Sequence, residues 1–268
     1  MRSDMPTSGP SHRTSSLSDF GGELVNMKKV SICCFTDTRP EYFDNSAAVV
    51  AVDVIRATTT TITAISKGRE CHVAATLEAA FATASRLPHA LLAGELGGEM
   101  PHGFHMTNSP AQLAARTDVS RPLVLLSSSG TRLMHEVCDS ASAYVGCFRN
   151  YSATIDHLAQ NRNAVVLIGA GTRGEFREED QMCCAWIAQG LMESGFVADN
   201  WATREPVERW RGAPKDAFIK SRSVDYLRRS GQLQDLEFIL SHFDDIDTAC
   251  KLSNDEITSV TVAAEVLT

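Results

Sequence analysis

The chain has 268 residues, 43% of them hydrophobic and 22% charged, with a formal net charge of −8. That length and composition suit one large globular α/β domain whose core needs no disulfide or metal staple. The acidic balance leaves no basic footprint for nucleic acid or an anionic membrane, and no stretch is apolar over the length of a membrane span.

Residues Met1 to Asn26 are rich in Ser, Thr, Pro and Gly and carry no apolar run, so they read as a disordered tail and not a signal peptide. The fold is expected to occupy residues 27–268 as a single α/β catalytic domain. Eight cysteines include two adjacent pairs and no C-x-x-C, which fits buried, reduced thiols in a cytoplasmic protein.

In chain order, Val30–Phe35 and Ala47–Val54 are short β-branched runs predicted as strands. Ala57–Lys67 is threonine-rich; Gly68 closes it like a C-cap, which favours a helix. Cys71–Ala75 (strand), Leu77–Leu87 (helix) and His89–Ala93 (strand) lead to a long polar loop from Gly94 to Asn108. Ser109-Pro110 has the form of an N-cap followed by proline at the first helical position, opening a helix to Arg116. Strands at Leu123–Leu126, Ala143–Cys147 and Ala164–Ile168 alternate with helices at Thr131–Val137, Tyr151–Gln160 and Glu178–Ser194. Beyond them, Thr203–Lys215 reads as a polar loop or lid, Ala217–Arg229 and Leu233–Phe243 as helices, and Ser259–Val266 as a closing strand. The alternation predicts a three-layer α/β/α fold with a largely parallel sheet.

Ligands of such sheets bind beyond the carboxyl ends of strands, and four of these junctions are loaded with polar residues. The first carries Asp53, Arg56 and Thr58: a carboxylate suited to Mg²⁺, then a guanidinium and a hydroxyl at a helix start suited to phosphate oxygens. The second carries Glu95 before Gly97-Gly98, then His102, His105, Asn108 and Ser109, which are ligands or simply solvated loop residues. The third, Ser127-Ser128-Ser129-Gly130-Thr131, is an anion cradle or an ordinary serine-rich N-cap, and lacks the lysine and spacing of a Walker A motif. The fourth, Gly169 to Gly174, spells G-x-G-x-x-G but is a poor dinucleotide fingerprint, because no helix follows at once. Glu178-Glu179-Asp180 after it either complements the helix dipole or folds back over the site. Jointly the four place carboxylates, an arginine, hydroxyls and helix N-termini along one edge of one sheet, a combination suited to handling a phosphoryl group.

These residues also resemble a known family. The run Val52-Asp53-Val54-Ile55-Arg56-Ala57-Thr58-Thr59-Thr60 is similar to the opening signature of the 2-phosphosulfolactate phosphatases. Ala93-Gly94-Glu95, Gly103-Phe104, Asn108-Ser109-Pro110, Gly130-Thr131 and Ala170-Gly171 with Phe176, Glu179 and Asp180 follow in the family's order. The similarity runs from Val49 to Leu191, with a weaker echo in Ser223–Phe238. It implies a Mg²⁺-dependent phosphatase with an α/β fold of its own, converting 2-phospho-3-sulfolactate to sulfolactate and phosphate in coenzyme M biosynthesis, although many bacterial members have no established role there.

The sequence departs from the family pattern at Leu96, where an arginine is usual, at His105 in place of aspartate, at Thr107, and at Ser127–Thr131, which lacks an asparagine. Losing a charge-assisted donor to an anion typically costs about 1.5–3 kcal/mol, so an altered anionic substrate is expected. The reading is a Mg²⁺-dependent hydrolase of a small phosphorylated organic acid. Asp53, Arg56, Glu95 and Asp180 are the expected catalytic residues, with Asp53, Glu95 and Asp180 as metal ligands. Thr58, Asn108, Ser109, Ser128, Ser129, Gly130, Thr131 and Gly171 are the expected substrate contacts. Competing readings are a repurposed lyase or transferase acting on a phosphorylated metabolite, and a non-catalytic metabolite-binding protein. A small anionic substrate is the expected partner, and a homodimer is compatible with the sequence.

Overall fold

Short β-branched runs and helical segments alternate along the chain and assemble into one ten-stranded sheet in the computed structural model, which describes residues 27–34, 47–140, 142–171 and 175–260. The expected N-terminal tail, Phe35, residues 172–174 and residues 261–266 of the expected closing strand lie outside those residues.

The first half holds β1 (Lys29–Cys34), β2 (Ala48–Val52), α1 (Ala57–Ser66), β3 (Cys71–Ala74), α2 (Leu77–Arg86), β4 (Leu91–Gly94), α3 (Pro110–Ala115), β5 (Leu123–Leu126) and α4 (Gly130–Val137). The second holds β6 (Ala143–Gly146), α5 (Tyr151–Asn161), β7 (Ala164–Gly169), α6 (Glu178–Glu193), β8 (Val197–Ala198), α7 (Trp201–Trp210), α8 (Arg222–Arg229), α9 (Leu233–Ser241), β9 (Ala249–Ser253) and β10 (Glu256–Val260).

Helices cover both faces. Side chains of a strand alternate between faces, so Ala48, Val50 and Val52 of β2 pack with Met182, Ile187 and Leu191 of α6. Val49 and Ala51 pack on the other side with Ile62 of α1 and with Leu133 and Met134 of α4. This is the expected α/β architecture with a mostly parallel sheet between helical layers. Among the described residues no helix is long and apolar enough to cross a membrane.

The sheet order is β4-β5-β3-β10-β9-β6-β2-β7-β1-β8. Strand β10 is antiparallel to both β3 and β9, and β9 is antiparallel to β6. The parallel blocks β4-β5-β3 and β6-β2-β7-β1-β8 therefore run in opposite directions along the sheet. The expectation of one shared strand edge is corrected here. Twist accumulates at roughly 20–25° per strand, so the four steps from β3 to β2 turn opposed blocks into crossed ones. Their carboxyl ends can then meet, and they do at Asp53 and Gly130.

Two further expectations are corrected. The closing strand begins at Glu256, earlier than Ser259, and pairs with an unforeseen partner, β9, across a turn in which Asn254 and Asp255 have φ of 50° and 61°; positive φ at both central residues marks the tight hairpin turn that matches strand twist. The segment expected as a loop from Thr203 is instead the body of α7. Asn200 caps it by accepting from the Thr203 N–H, and Thr203, Pro206, Val207 and Trp210 are buried at helical spacing. Its fixing is specific: Thr203 Oγ1 accepts from the Ile32 N–H of β1 at 3.0 Å, and Trp210 Nε1 donates to Gln181 Oε1 at 2.9 Å.

Candidate active site

The carboxyl end of β2 is clamped by the first turn of α1. The Asp53 N–H donates to Thr58 Oγ1 at 3.0 Å, and Thr58 Oγ1–H donates to the Asp53 carbonyl at 2.8 Å. Thr58 is fully buried, so this hydroxyl shapes the turn that aims the Asp53 carboxylate. Thr59, Thr60, Thr61 and Thr63 similarly donate to backbone carbonyls about one turn back, which satisfies their buried hydroxyls inside the helix. Thr60 also donates to Asn108 Oδ1 at 2.7 Å, placing Asn108 against this junction. The Ile55–Arg56 peptide bond is cis.

Arg56 is buried and its Nη1 donates to Asp235 Oδ2 at 2.7 Å and to Gln232 Oε1. Asp235 is itself wholly buried; its other oxygen accepts from Ser109 Oγ and from the Ala111 N–H. Ser109 in turn accepts from the Gln112 N–H as the N-cap of α3, with Pro110 at the first helical position as expected. One carboxylate thus ties Arg56 to the start of α3. Sequence reasoning did not single out Asp235 and Gln232, which lie more than 170 positions from Arg56 inside the weaker echo at Ser223–Phe238.

Acids gather against this junction from the other block and from α6. Asp180, in the first turn of α6, accepts from the Val54 N–H through Oδ1 at 2.7 Å. Glu179 beside it is buried, and its Oε2 has no hydrogen-bond partner. Glu179 appeared in the sequence only as part of a motif; its burial makes it a member of the site. Burial pushes the Asp53 carboxyl up to about 7, and the charges of Glu95 and Glu179 push the same way against the Ala57 N–H and the Arg56 guanidinium. Burial, then the charges of Asp53 and Glu179, holds Asp180 well above the carboxylate range. Glu179 is also raised by burial, against hydrogen bonding from Ser223 and Ser221.

Glu95 follows β4 and is half-buried. Its Oε1 accepts from the Ser128 N–H at 2.7 Å, and its Oε2 accepts from the Gly98 N–H at 2.8 Å and from Ser128 Oγ at 3.0 Å. The serine-rich turn after β5 is therefore bound to Glu95. Ser127 and Thr131 close it by exchanging side-chain and backbone hydrogen bonds, while Ser129, the N-cap of α4, makes no side-chain cap. Gly130 is where the two blocks touch: a Cβ built there would lie 2.1 Å from Asp53 Oδ2 and 2.5 Å from the Ala57 Cβ. Only glycine lets the N-terminus of α4 come this near the carboxylate.

The remaining expected residues fall around this centre. Gly171 has φ of 57° beside Cys34, just after Ala170 donates to the Val52 carbonyl at 2.8 Å. His105 instead serves β4: its Nδ1 accepts from the Leu92 N–H at 3.0 Å, satisfying the outer edge of the sheet. Leu96 is 42% exposed in the turn next to Ser128, whose Oγ accepts from Gly97 N–H at 2.8 Å. Two surface cavities of about 690 and 480 Å³ lie elsewhere, the second along Trp186 and Gly190, and neither is lined by Asp53, Arg56 or Asp180.

Comparison with known proteins bears on the same residues, because the match to the family described as 2-phosphosulpholactate phosphatase covers residues 34–255 and so contains every group above. The chain belongs to the 2-phosphosulfolactate phosphatase family. It is accordingly a phosphomonoester hydrolase. A protein of Methanothermobacter thermautotrophicus named 2-phosphosulfolactate phosphatase is 34% identical over 206 residues, covering 75% of this chain and 84% of that one. A probable 2-phosphosulfolactate phosphatase of Synechocystis is 32% identical over 198 residues, covering 70% and 82%. Another of Caldicellulosiruptor saccharolyticus is 26% identical over 238 residues, covering 85% and 98%. Within the matched residues, Asp53, Arg56, Glu95, Gly130 and Asp180 lie together where the two strand blocks meet.

Proposed function

We propose that the chain hydrolyses a small phosphorylated organic acid of the 2-phosphosulfolactate type with Mg²⁺ bound at the Asp53 junction. The observation that carries the metal is a charge imbalance. Among the described residues, Asp53, Glu179 and Asp180 are buried together, and the guanidinium of Arg56 beside them is already paired with Asp235. A buried carboxylate without a counter-ion must hold a proton or gain a cation. The unpartnered Glu179 Oε2 fits the second alternative.

Among the described residues, Asp53, Glu95 and Asp180 do not bring ligand oxygens within 4.8 Å of one another as a ready-made trio. That suits Mg²⁺, which is commonly held by one or two carboxylates with water and substrate oxygens completing the shell. Asp53 and Asp180 are the proposed ligands, with Glu179 behind them. When bound, the ion supplies charge neutralisation to the phosphoryl oxygens.

The chain's own groups do the rest. Arg56, with Nη1 fixed by Asp235 and Gln232, offers its remaining N–H donors to the phosphoryl group, where planar bidentate donation is strongest. The N–H groups of Ser129, the N-cap, and Gly130, the first residue of α4, face accumulating negative charge with the favourable end of the helix dipole. Glu95 is the least buried of the four acids and is held by three donors; it takes the proton of the attacking water. Leu96 in place of the family's arginine removes a cation one residue from this acid, which supports a substrate whose second anionic group is absent or bound elsewhere.

Phosphate release from a panel of phosphorylated organic acids tests the proposal. Chelation with EDTA is expected to abolish turnover and excess Mg²⁺ to restore it. Turnover that survives exhaustive chelation overturns the metal-dependent mechanism.

A further inference from the structure

Away from this site, at the opposite end of α4, three side chains of different chemistry converge. His135 and Cys138 lie one turn apart on α4 and its C-cap, and Asp255 projects from the β9–β10 turn. One ligand atom from each lies within 4.8 Å of the other two. His135 Nδ1 is 2.8 Å from Asp255 Oδ1 and 3.0 Å from Oδ2.

We propose that His135, Cys138 and Asp255 form a binding site for a thiophilic divalent cation of the zinc class, separate from the catalytic centre. Three features carry this. The donor set is imidazole, thiol and carboxylate, the mixture that Zn²⁺ takes in tetrahedral sites, with three protein ligands leaving a fourth position for water. The scaffold is rigid on both sides: the i, i+3 spacing puts His135 and Cys138 on one helix face, and Asp255 sits in a two-residue turn whose carbonyl accepts from the Val73 N–H of β3 at 2.8 Å. The spacing is also close to what a metal needs. Bonds of about 2.0–2.3 Å at tetrahedral angles separate ligand atoms by roughly 3.3–3.8 Å, so His135 and Asp255 must part slightly as the hydrogen between them gives way to the ion, and the thiol must close in.

The site is half open to solvent, so an ion can enter without unfolding. A bound cation takes the Cys138 sulfur as thiolate and releases its proton to solvent. The ion would staple the end of α4 to the hairpin that joins the two strand blocks. The same helix holds Gly130 against Asp53 at its other end.

Co²⁺ is the probe, because a thiolate ligand gives it a sulfur-to-metal charge-transfer band that Mg²⁺ sites lack. Titration of the metal-free full chain is expected to develop that band at one equivalent, with Zn²⁺ displacing it. Cys138→Ser is expected to abolish the band and His135→Ala to weaken it at least tenfold, with both retaining the native far-ultraviolet dichroism. Asp53→Asn, which alters the catalytic centre only, should keep it. Absence of a band in the wild type overturns the proposal, as does a band that persists in Cys138→Ser and so comes from another cysteine. A folded His135→Ala variant that binds Co²⁺ as tightly as wild type also overturns it.

Discussion

The Asp53–Arg56 junction and the Glu95–Asn108 loop both follow strand ends, yet they are built in opposite ways. In the first, carboxylate, guanidinium and threonine hydroxyls are buried, and partners are fixed by α1, α6 and α9. In the second, Glu95 is held firmly, but Leu96, Gly97 and Glu99 around it are exposed. The departures from the family pattern at Leu96 and His105 fall in the second region. Fixed charges sit where packing over-determines geometry, and at Leu96 a side chain can change at little cost to the fold; on the proposed function, the first region does the chemistry and the exposed turn meets the substrate.

The sharpest way to break this contrast is to remove a buried partner. Asp235→Ala strands the Arg56 charge in the interior, and losing one member of a buried pair costs about 3–5 kcal/mol. At about 2–4 °C per kcal/mol for a chain of this size, a fall in Tm on the order of 10 °C is expected by calorimetry. Glu99→Ala in the exposed turn should move Tm by no more than about 1–2 °C, within the usual ±0.5 kcal/mol of surface changes. Equal losses would erase the distinction.

Gly130→Ala probes the contact between the blocks. Its methyl cannot occupy a position 2.1 Å from Asp53 Oδ2, so the carboxylate or the α4 N-terminus must shift. Displacing a catalytic group by about 1 Å commonly costs on the order of 100-fold in rate. A kcat within threefold of wild type at saturating Mg²⁺ would show that Asp53 need not hold its place.

A third effect is read in pH. Asp53 titrates near 7 in the metal-free fold against 3.8 for an ordinary aspartate. Between those values the folded state keeps a proton that the unfolded chain has lost, so stability is greatest below about pH 4, falls as pH rises through 7, and then levels. Asp180 and Glu179, raised for the same reason, act in the same direction. Thermal melts of the chelated protein should therefore drop between pH 5 and 8, with a shallower slope in Asp53→Asn. A melting temperature that rises across that window contradicts the buried-acid site.

The same contrast governs how much could be seen in the sequence. Asp53, Glu95 and Asp180 stood out because strand ends and helix starts are readable from local pattern, even though the bonds that fix Glu95 and Asp180 span 33 and 126 positions. Asp235 did not, since its importance comes from an ion pair across 179 positions. The antiparallel hairpin was hidden for a related reason: Ala-Cys-Lys-Leu-Ser is too short and mixed to declare a strand until β6 and β10 flank it. Helix α7 was misread because Pro206 and a run of charges look like a loop, while the buried spacing of Thr203, Pro206, Val207 and Trp210 becomes meaningful only against β1 and α6. His105 was legible as a polar loop residue but not as the acceptor that finishes β4.

The smallest expected effect belongs to the adjustable region and tests what it is for. Leu96→Arg restores the cation usual in the family at an exposed position whose backbone is already set by reciprocal hydrogen bonds with Glu99. Stability should hardly move, because the new side chain displaces nothing buried. Toward a substrate carrying both a phosphoryl and a second anionic group, a new charge-assisted contact would contribute near the low end of about 1.5–3 kcal/mol, since solvent screens it. That corresponds to roughly a tenfold gain in kcat/KM for phosphosulfolactate over a phosphoester without the second anion, appearing in KM and leaving kcat nearly unchanged. A change in kcat of that size would place residue 96 in the reaction itself and dissolve the division between a fixed chemical junction and a variable recognition loop.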